Sequence, residues 1–201
     1  MFDASFARHA ARRYRKHGLT KPAQRIVDLV VEHGVQDATV LEVGGGIGDI
    51  QLELLKRGAA RATNLELSES YDDEARRLFA EQGLADRVDR RIVDIATTPD
   101  EVEAADIVVL HRVVCCYPDY TALLGAVADH ARRIVVFSHP PRNAATLTVA
   151  RMQNGFDRLR GREFRFFAHP PEAMTQVLVD HGMRAGNRSG GPIWRVRTAV
   201  R

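Results

Sequence analysis

The sequence predicts an α/β fold: a mostly parallel, seven-stranded sheet with helices on both faces and a helical cap at the N-terminus. An apolar run at Thr39–Val43 is followed by a glycine-rich turn and then by apolar residues at helical spacing. Four further apolar runs alternate with helical patterns, as parallel strands and their crossover helices do. These runs span residues 62–67, 87–95, 106–110 and 134–137. Two closing strands, 183–188 and 193–200, flank the turn signal Gly190-Gly191.

The glycine-rich turn constrains the function most. Gly44, Gly45, Gly46 and Gly48 follow the first strand, where glycine permits a positive φ and lets a ligand approach the backbone closely. The helix after the turn directs its free N–H groups back toward it. A dinucleotide-binding turn would have a small residue where Asp49 stands, so this turn disfavours NAD(P).

Acidic residues stand where other predicted strands end. The second strand ends with Glu66 and Leu67, about twenty residues beyond the glycines, where a carboxylate can accept both hydroxyls of a ribose. The third strand ends with Asp94 and Ile95, and the fourth ends just before His111. Because open parallel sheets bind ligands outside the carboxyl ends of their strands, we expect these residues to share one site.

The pattern Glu42-x-Gly-x-Gly-x-Gly resembles the first motif of class I S-adenosylmethionine (SAM) methyltransferases. With the acids that follow and the terminal strand pair, the resemblance covers roughly residues 38–200 and implies a Rossmann-like class I methyltransferase fold with SAM as the cofactor. It also implies that Asp94 accepts from the adenine amino group and that the N–H of Ile95 reaches the ring. The implied cofactor-binding residues are Glu42, Gly44, Gly45, Gly46, Gly48, Glu66, Leu67, Asp94, Ile95 and His111.

The second half of the chain resembles the magnesium-protoporphyrin O-methyltransferases. The segments that carry this resemblance are Cys115-Cys116-Tyr117-Pro118, Val135-Val136-Phe137-Ser138 and Phe167-Ala168-His169. The chain departs from that family at two positions: Cys116 replaces a His before the Tyr-Pro pair, and His111 replaces an acid or a small residue. The resemblance implies a small-molecule acceptor and O-methylation.

We expect a single methyltransferase domain with four parts. Residues 1–37 would form the cap, 38–141 the SAM-binding core, 142–169 an insertion over the acceptor pocket, and 170–201 the closing helix and strand pair. The cap helix, over residues 3–17, has arginines around an apolar stripe, which consists of Phe2, Phe6, Ala10 and Tyr14. Three roles remain open for it: packing with a solvated basic face, a lid over the active site, or a helix on a membrane surface.

Methyl transfer from a sulfonium is an in-line displacement, in which the enzyme mainly positions the nucleophile and excludes water. A carboxylate acceptor needs no base, whereas a hydroxyl or amine benefits from one. His111, Tyr117 and His139 stand at strand exits and are the candidate catalytic residues, although each also has a purely structural interpretation. The residues expected to line the acceptor pocket are Tyr14, Arg112, Cys116, Tyr117, Phe164 and Phe166. Arg151 and Arg158 of the insertion are further cations for an acidic substituent on a planar, largely apolar acceptor.

Composition narrows the function classes. The 201 residues are 45% hydrophobic and 27% charged with a net charge of +3, as in a soluble globular protein, and this balance does not require nucleic acid. Base-amino methyltransferases often carry an Asn/Asp-Pro-Pro-aromatic motif after the fourth strand, where this chain has His111-Arg112-Val113-Val114. The absence of that motif disfavours an RNA or DNA methyltransferase, which stays the main alternative to a small-molecule enzyme. An NAD(P)-dependent oxidoreductase or a non-catalytic binder is a third.

Other sequence features indicate a cytoplasmic protein. The only cysteines are the neighbours Cys115 and Cys116, which do not form a disulfide framework. The basic N-terminus has no apolar core, so it does not resemble a secretory signal, and no apolar run is long enough to span a membrane. We expect no metal site, and the sequence does not predict the oligomeric state.

Overall fold

The computed structural model describes residues 3–162 and 164–201; residues 1, 2 and 163, which fall in the predicted cap and insertion, lie outside the described residues. Phe2 of the predicted apolar stripe is among them. The helices are α1 (Ala4–His17), α2 (Lys21–Glu32), α3 (Asp49–Lys56), α4 (Asp72–Glu81), α5 (Tyr120–His130), α6 (Ala144–Leu159) and α7 (Pro171–Asp180). The strands are β1 (Thr39–Val43), β2 (Arg61–Glu66), β3 (Val88–Ile92), β4 (Ala105–Leu110), β5 (Ala131–His139), β6 (Arg184–Gly190) and β7 (Arg195–Val200).

The seven strands form one sheet in the order β3-β2-β1-β4-β5-β7-β6, which confirms the predicted fold class. The first five strands are parallel, and β7 runs antiparallel to both β5 and β6. The strand order reverses between β1 and β4, because β2 lies on one side of β1 and β4 on the other. Doubly wound sheets bind ligands in the crevice at such a switch point.

Apolar side chains cover both faces of the sheet. One core cluster joins the sheet to α5 and α7, and a second joins it to α2 and α3. The central strand β4 is buried almost throughout, as a parallel strand covered on both faces must be. Among the described residues, none of the helices combines the length and the apolar character that crossing a bilayer requires.

Helix α1 packs against α4 through a third core cluster. Ala7, Ala11 and Tyr14 are buried there against Tyr71 and Phe79, among other residues. Asp3 caps the helix by accepting from the N–H groups of residues 5 and 6, and residue 18, with φ 67°, ends it. The first helix is therefore part of the folded core as well as a cap beside the site.

Strands β2 to β7 each differ from the predicted bounds by at least one residue, and three of the differences have local reasons. Strand β3 ends at Ile92, because Asp94 turns the chain: its carboxylate accepts from Ala96 N–H, and its carbonyl accepts from the next two N–H groups. Strand β5 begins early because α5 leads directly into it. Strand β6 includes Gly190, and the hairpin turn lies one residue later, closed by Gly191 N–H donating to Trp194 O at 2.9 Å.

Candidate active site

A cavity of about 660 Å³ lies at the carboxyl ends of the parallel strands, at the switch point of the sheet. One half of its wall consists of the glycine turn after β1 and the exits of β2, β3 and β4. The other half is built by α1, by α6 with the aromatic segment that follows it, and by the β6–β7 hairpin. The cavity therefore joins the segments expected to hold a cofactor to those expected to hold an acceptor.

The glycine turn presents its backbone to this cavity. Gly44 and Gly46, with φ values of 65° and 53°, adopt the left-handed conformation that disfavours other residues. Gly48 also has a positive φ but does not line the cavity, and a Cβ there would lie 2.5 Å from Gln51 Nε2 and 2.6 Å from the ring of Phe79. Gly48 is a packing glycine at the start of α3, which differs from the ligand-binding role expected for it.

Glu66 closes the turn from the end of β2. Its Oε2 accepts from Gly46 N–H at 2.9 Å, and its Oε1 accepts from the N–H groups of Leu67 and Ser68 at 2.8 and 3.1 Å. These three bonds hold the carboxylate at the cavity wall, beside the glycine backbone. The structure thus brings together the glycines and the acid that the sequence placed twenty residues apart.

Arg90 of β3 also binds this turn, by donating to the carbonyl of Gly46, and the sequence did not predict this role. Its side chain is 5% exposed and donates to Gly46 O and Asn64 Oδ1, both at 2.8 Å, and to Asp72 at 2.7 Å. The available signal was an arginine in the middle of a predicted strand, because a buried charge requires partners. Beside this network, burial and then the nearby Asp49 raise the pKa of Glu42 well above its ordinary value.

Asp94 forms part of the wall at the end of β3. Its Oδ1 accepts from Ala96 N–H at 3.0 Å, and its Oδ2 accepts from the hydroxyl of Tyr117 at 2.9 Å. Burial and this hydrogen bond raise the pKa of Tyr117 to about 12, so the phenol keeps its proton at neutral pH. Ile95 is buried and also lines the cavity.

His111 and Arg112 form the exit of β4. Ser138 Oγ, which is buried, accepts from Arg112 N–H at 2.9 Å and lies 2.9 Å from His111 Nδ1. Since that ring nitrogen is the acceptor available to the Ser138 hydroxyl, we assign the proton of the neutral imidazole to Nε2. Burial, and secondarily Arg112, lowers the pKa of His111 to about 3. Arg112 has a φ of 64°, a strained conformation for a non-glycine residue.

Trp194, in the β6–β7 hairpin, is a wall residue that the sequence analysis missed. The Arg112 guanidinium lies 5.0 Å from the centre of its ring, and the His111 ring lies 6.2 Å away. A cation over an aromatic face is attracted by the ring quadrupole, so the two side chains form one flat platform. The available signal was the only tryptophan of the chain, placed beside a turn.

Cys115 and Cys116 also face the cavity, with their sulfurs 3.6 Å apart. The hydrogen bond between the two thiols and burial raise the pKa of Cys115, and the same bond lowers that of Cys116. Their backbone anchors the insertion, because Cys115 O accepts from Phe167 N–H at 2.7 Å. Among the described residues, no three His, Cys, Asp or Glu side chains come together as a metal site would require.

The aromatic segment after α6 is fixed to the helix by one amide side chain. Asn154 Nδ2 donates to Phe166 O at 2.9 Å, and Asn154 Oδ1 accepts from Phe166 N–H at 2.7 Å. This reciprocal pair holds Phe164 and Phe166 in the cavity wall together with Gln153 of the helix. On the opposite side, α1 contributes three wall residues, which are Phe6, Ala10 and Arg13.

Besides Gly48, four expected site residues do not line the cavity. Tyr14 is buried in the cluster that α1 forms with α3 and α4, and its hydroxyl donates to Glu53 of α3 at 2.7 Å. His139 is buried, with its Nε2 accepting from Arg197 Nε at 3.3 Å and its Nδ1 bonded to the carbonyl of residue 140. Arg151 and Arg158 of α6 are exposed and are not among the residues that line the cavity.

Comparison with known proteins agrees with this architecture. Residues 40–133 match the family model of a methyltransferase domain. A magnesium protoporphyrin IX methyltransferase from Synechocystis PCC 6803 with bound SAH is 21% identical, with a TM-score of 0.72 over 89% of this chain and 81% of that one. An O-methyltransferase family protein from Burkholderia thailandensis is also 21% identical, with a TM-score of 0.70 over 89% and 56%.

A putative sarcosine dimethylglycine methyltransferase from Galdieria sulphuraria has the same fold at 11% identity, with a TM-score of 0.71 over 89% of this chain and 84% of that one. No curated protein matches the sequence. At these identities the structural likeness establishes the fold alone, and the identity of the acceptor has to be argued from the cavity.

Proposed function

We propose that this chain, which is a class I SAM-dependent methyltransferase, methylates an acidic oxygen of a small, planar and largely apolar acceptor. The observation that carries the proposal is the single cavity that runs from the glycine turn to an aromatic wall. A cofactor and a small acceptor would meet there under cover of α1 and the segment after α6. The match of residues 40–133 to a methyltransferase domain supports the SAM-dependent class, and the acceptor and the methylated atom are the finer part of the proposal.

The residues present fit the cofactor. Gly46 has no side chain that would obstruct a ligand on the turn. Glu66 lies at the cavity wall, where one carboxylate oxygen accepts from Gly46 N–H and the other from Leu67 N–H. We assign the ribose to Glu66 and the adenine to Asp94 and Ile95. Arg13 and Asp49 also line the cavity and offer opposite charges for the zwitterionic methionine end. Bound SAM supplies a methyl group on a positively charged sulfur.

The protein side chains offer little base catalysis for the acceptor. Tyr117 keeps its proton, which it donates to Asp94, and a histidine whose pKa is about 3 accepts protons weakly. His139, the third candidate, is buried outside the cavity. An acceptor that is already ionised at neutral pH, such as a carboxylic acid or an acidic phenol, needs no such base. This favours O-methylation.

The walls of the acceptor side define its shape and charge. Phe164, Phe166 and Trp194 supply flat apolar surface, and Arg112 lies against the tryptophan ring. A guanidinium in a largely apolar wall is a strong partner for a carboxylate. Together these residues favour a planar acceptor with one acidic substituent over a bulky or polycationic one.

The proposal is tested by measuring the release of the demethylated product, S-adenosylhomocysteine (SAH), with matched acceptors. The panel contains planar aromatic carboxylic acids and the corresponding amides, which have the same shape without the charge, together with RNA and duplex DNA. We expect turnover with one or more acids and none with their amides. Replacing Arg112 with methionine should raise the KM for the acid at least tenfold, by loss of a charged hydrogen bond. Turnover with nucleic acid, or equal turnover of acid and amide, would overturn the proposal.

A further inference from the structure

Helix α6 has an exposed apolar stripe that the fold does not cover. Val149, Met152, Phe156 and Leu159 follow one another at intervals of three, four and three residues, so they lie on one face of the helix. Leu159 is 88% exposed and Met152 is 71% exposed. Scattered exposed apolar residues are ordinary, but a contiguous stripe on one helix marks an interaction surface.

The rim of this stripe is cationic. Arg151 and Arg158 are exposed about 80° and 100° around the helix from Leu159, beyond one edge of the stripe, and the guanidinium of Arg160 lies 3.9 Å from the centre of the Phe156 ring. The only acid in the helix, Asp157, is buried on the opposite face, 3.5 Å from a guanidinium nitrogen of the arginine at position 162. The exposed half of α6 therefore combines apolar side chains with positive charge and has no carboxylate.

We propose that α6 docks this protein on an anionic lipid bilayer. A helix with an apolar face and arginines beside it lies in the plane of a membrane surface, with its apolar residues at the acyl boundary and its cations among the headgroups. Arginine stems reach the headgroup level while the apolar residues between them are buried. A second copy of the chain that paired α6 against α6 would offer these arginines no carboxylate, so charge complementarity favours an anionic surface.

The stripe lies on a helix that also forms part of the cavity wall. Gln153 of α6 is part of the cavity wall, and α6 holds the aromatic segment through Asn154. Helix α1, across the cavity, exposes Arg8 and Arg12. A bilayer against α6 would therefore be next to the acceptor pocket. In the part of the inference that rests on the proposed function, the acceptor is an apolar acid that partitions into the bilayer and enters from it.

The surface is tested by vesicle co-sedimentation of the whole chain, without any turnover measurement. The vesicles are phosphatidylcholine alone, or phosphatidylcholine with about 30 mol% phosphatidylglycerol to supply anionic headgroups. The test variant replaces Met152, Phe156 and Leu159 with glutamine. The control replaces two exposed apolar residues on other helices, Val31 of α2 and Val179 of α7, with glutamine. SAM affinity, measured by calorimetry, reports separately on the fold and on the cofactor site.

We expect the wild-type chain and the control to sediment with anionic vesicles and not with neutral ones, and high salt to weaken that binding. The α6 variant should lose about tenfold or more in vesicle affinity, because three inserted apolar side chains are lost, while its SAM affinity stays unchanged. Equal sedimentation of the α6 variant and the wild type would overturn the proposal. Failure of the wild-type chain to bind anionic vesicles would also overturn it. The same holds if the wild type does not bind them and instead self-associates through the stripe in analytical ultracentrifugation.

Discussion

Replacing Glu66 with alanine should weaken SAM binding by about 1.5–3 kcal/mol, which is about 10- to 150-fold in Kd. The carboxylate stands at the cavity wall, fixed by N–H groups of Gly46, Leu67 and Ser68, so it reaches a ligand without first being ordered. The magnitude is that of losing hydrogen bonds to a charged group. Calorimetric titration with SAM and with SAH should show the same loss, since both ligands contain the ribose.

The substitution also removes an acceptor from three backbone N–H groups, so its effect on folding has to be separated from its effect on the ligand. Asp119→Ala is the matched control: Asp119 accepts from the N–H groups of Thr121 and Ala122 at the start of α5 and does not line the cavity. That variant should lose stability and keep its SAM affinity. An affinity loss at Glu66 confined to one of the two ligands, or equal losses in both variants, would refute the assignment of the ribose.

Three further predictions concern the walls of the cavity. Tyr117→Phe removes the bond to Asp94 and should weaken SAM binding several-fold while retaining turnover at saturating SAM; lost turnover with unchanged SAM affinity would identify a base instead. The pKa of His111 is lowered from 6.5 to about 3, so between these pH values the unfolded chain binds a proton there more readily than the folded one. The free energy of unfolding should therefore be unaffected by His111 above about pH 6.5 and should fall below it by up to about 1.4 kcal/mol per pH unit. Burial also lowers the pKa of His139 and His169, so denaturant unfolding between about pH 7 and pH 4 should show a shallower loss of stability in His111→Gln than in the wild type, and equal slopes would contradict the role of His111. Asn154→Leu breaks both bonds to the Phe166 backbone and should raise the acceptor KM without changing SAM affinity, whereas a lower SAM affinity would contradict separate subsites.

The side of the cavity that we assign to the cofactor could be predicted from the sequence, because local patterns determine which residues line it. Strand ends follow from apolar runs, and parallel strands that end at one edge must bring their exit residues together, as Gly46, Glu66 and Asp94 illustrate. Arg90 and Trp194 were missed for the opposite reason. Their partners are far away in sequence, and neither residue belongs to a motif.

Helix α1 was predicted correctly as a helix, but its buried residues do not all face the same neighbour. The predicted stripe joined Phe6, Ala10 and Tyr14 as one face, but the helix has two neighbours. Phe6 and Ala10 line the cavity, whereas Tyr14 is turned by about 80° relative to Phe6, and its hydroxyl donates to Glu53 of α3. Deleting residues 1–17 would therefore expose the α4 core as well as open the site. Substitution of Phe6 with alanine is the cleaner test of a lid, which stays a prediction.

The most direct test of the cofactor assignment is calorimetric titration of SAM into the wild type, Gly46→Val and Gly83→Val. Both glycines have a left-handed φ, 53° and 65°, so a branched residue adds comparable backbone strain at either position. Gly46 lines the cavity, whereas a Cβ on Gly83 meets nothing within 4 Å. We predict one SAM per chain for the wild type and for Gly83→Val, and no measurable binding for a Gly46→Val variant that remains folded. Unchanged SAM affinity in folded Gly46→Val would contradict the placement of the cofactor on this turn.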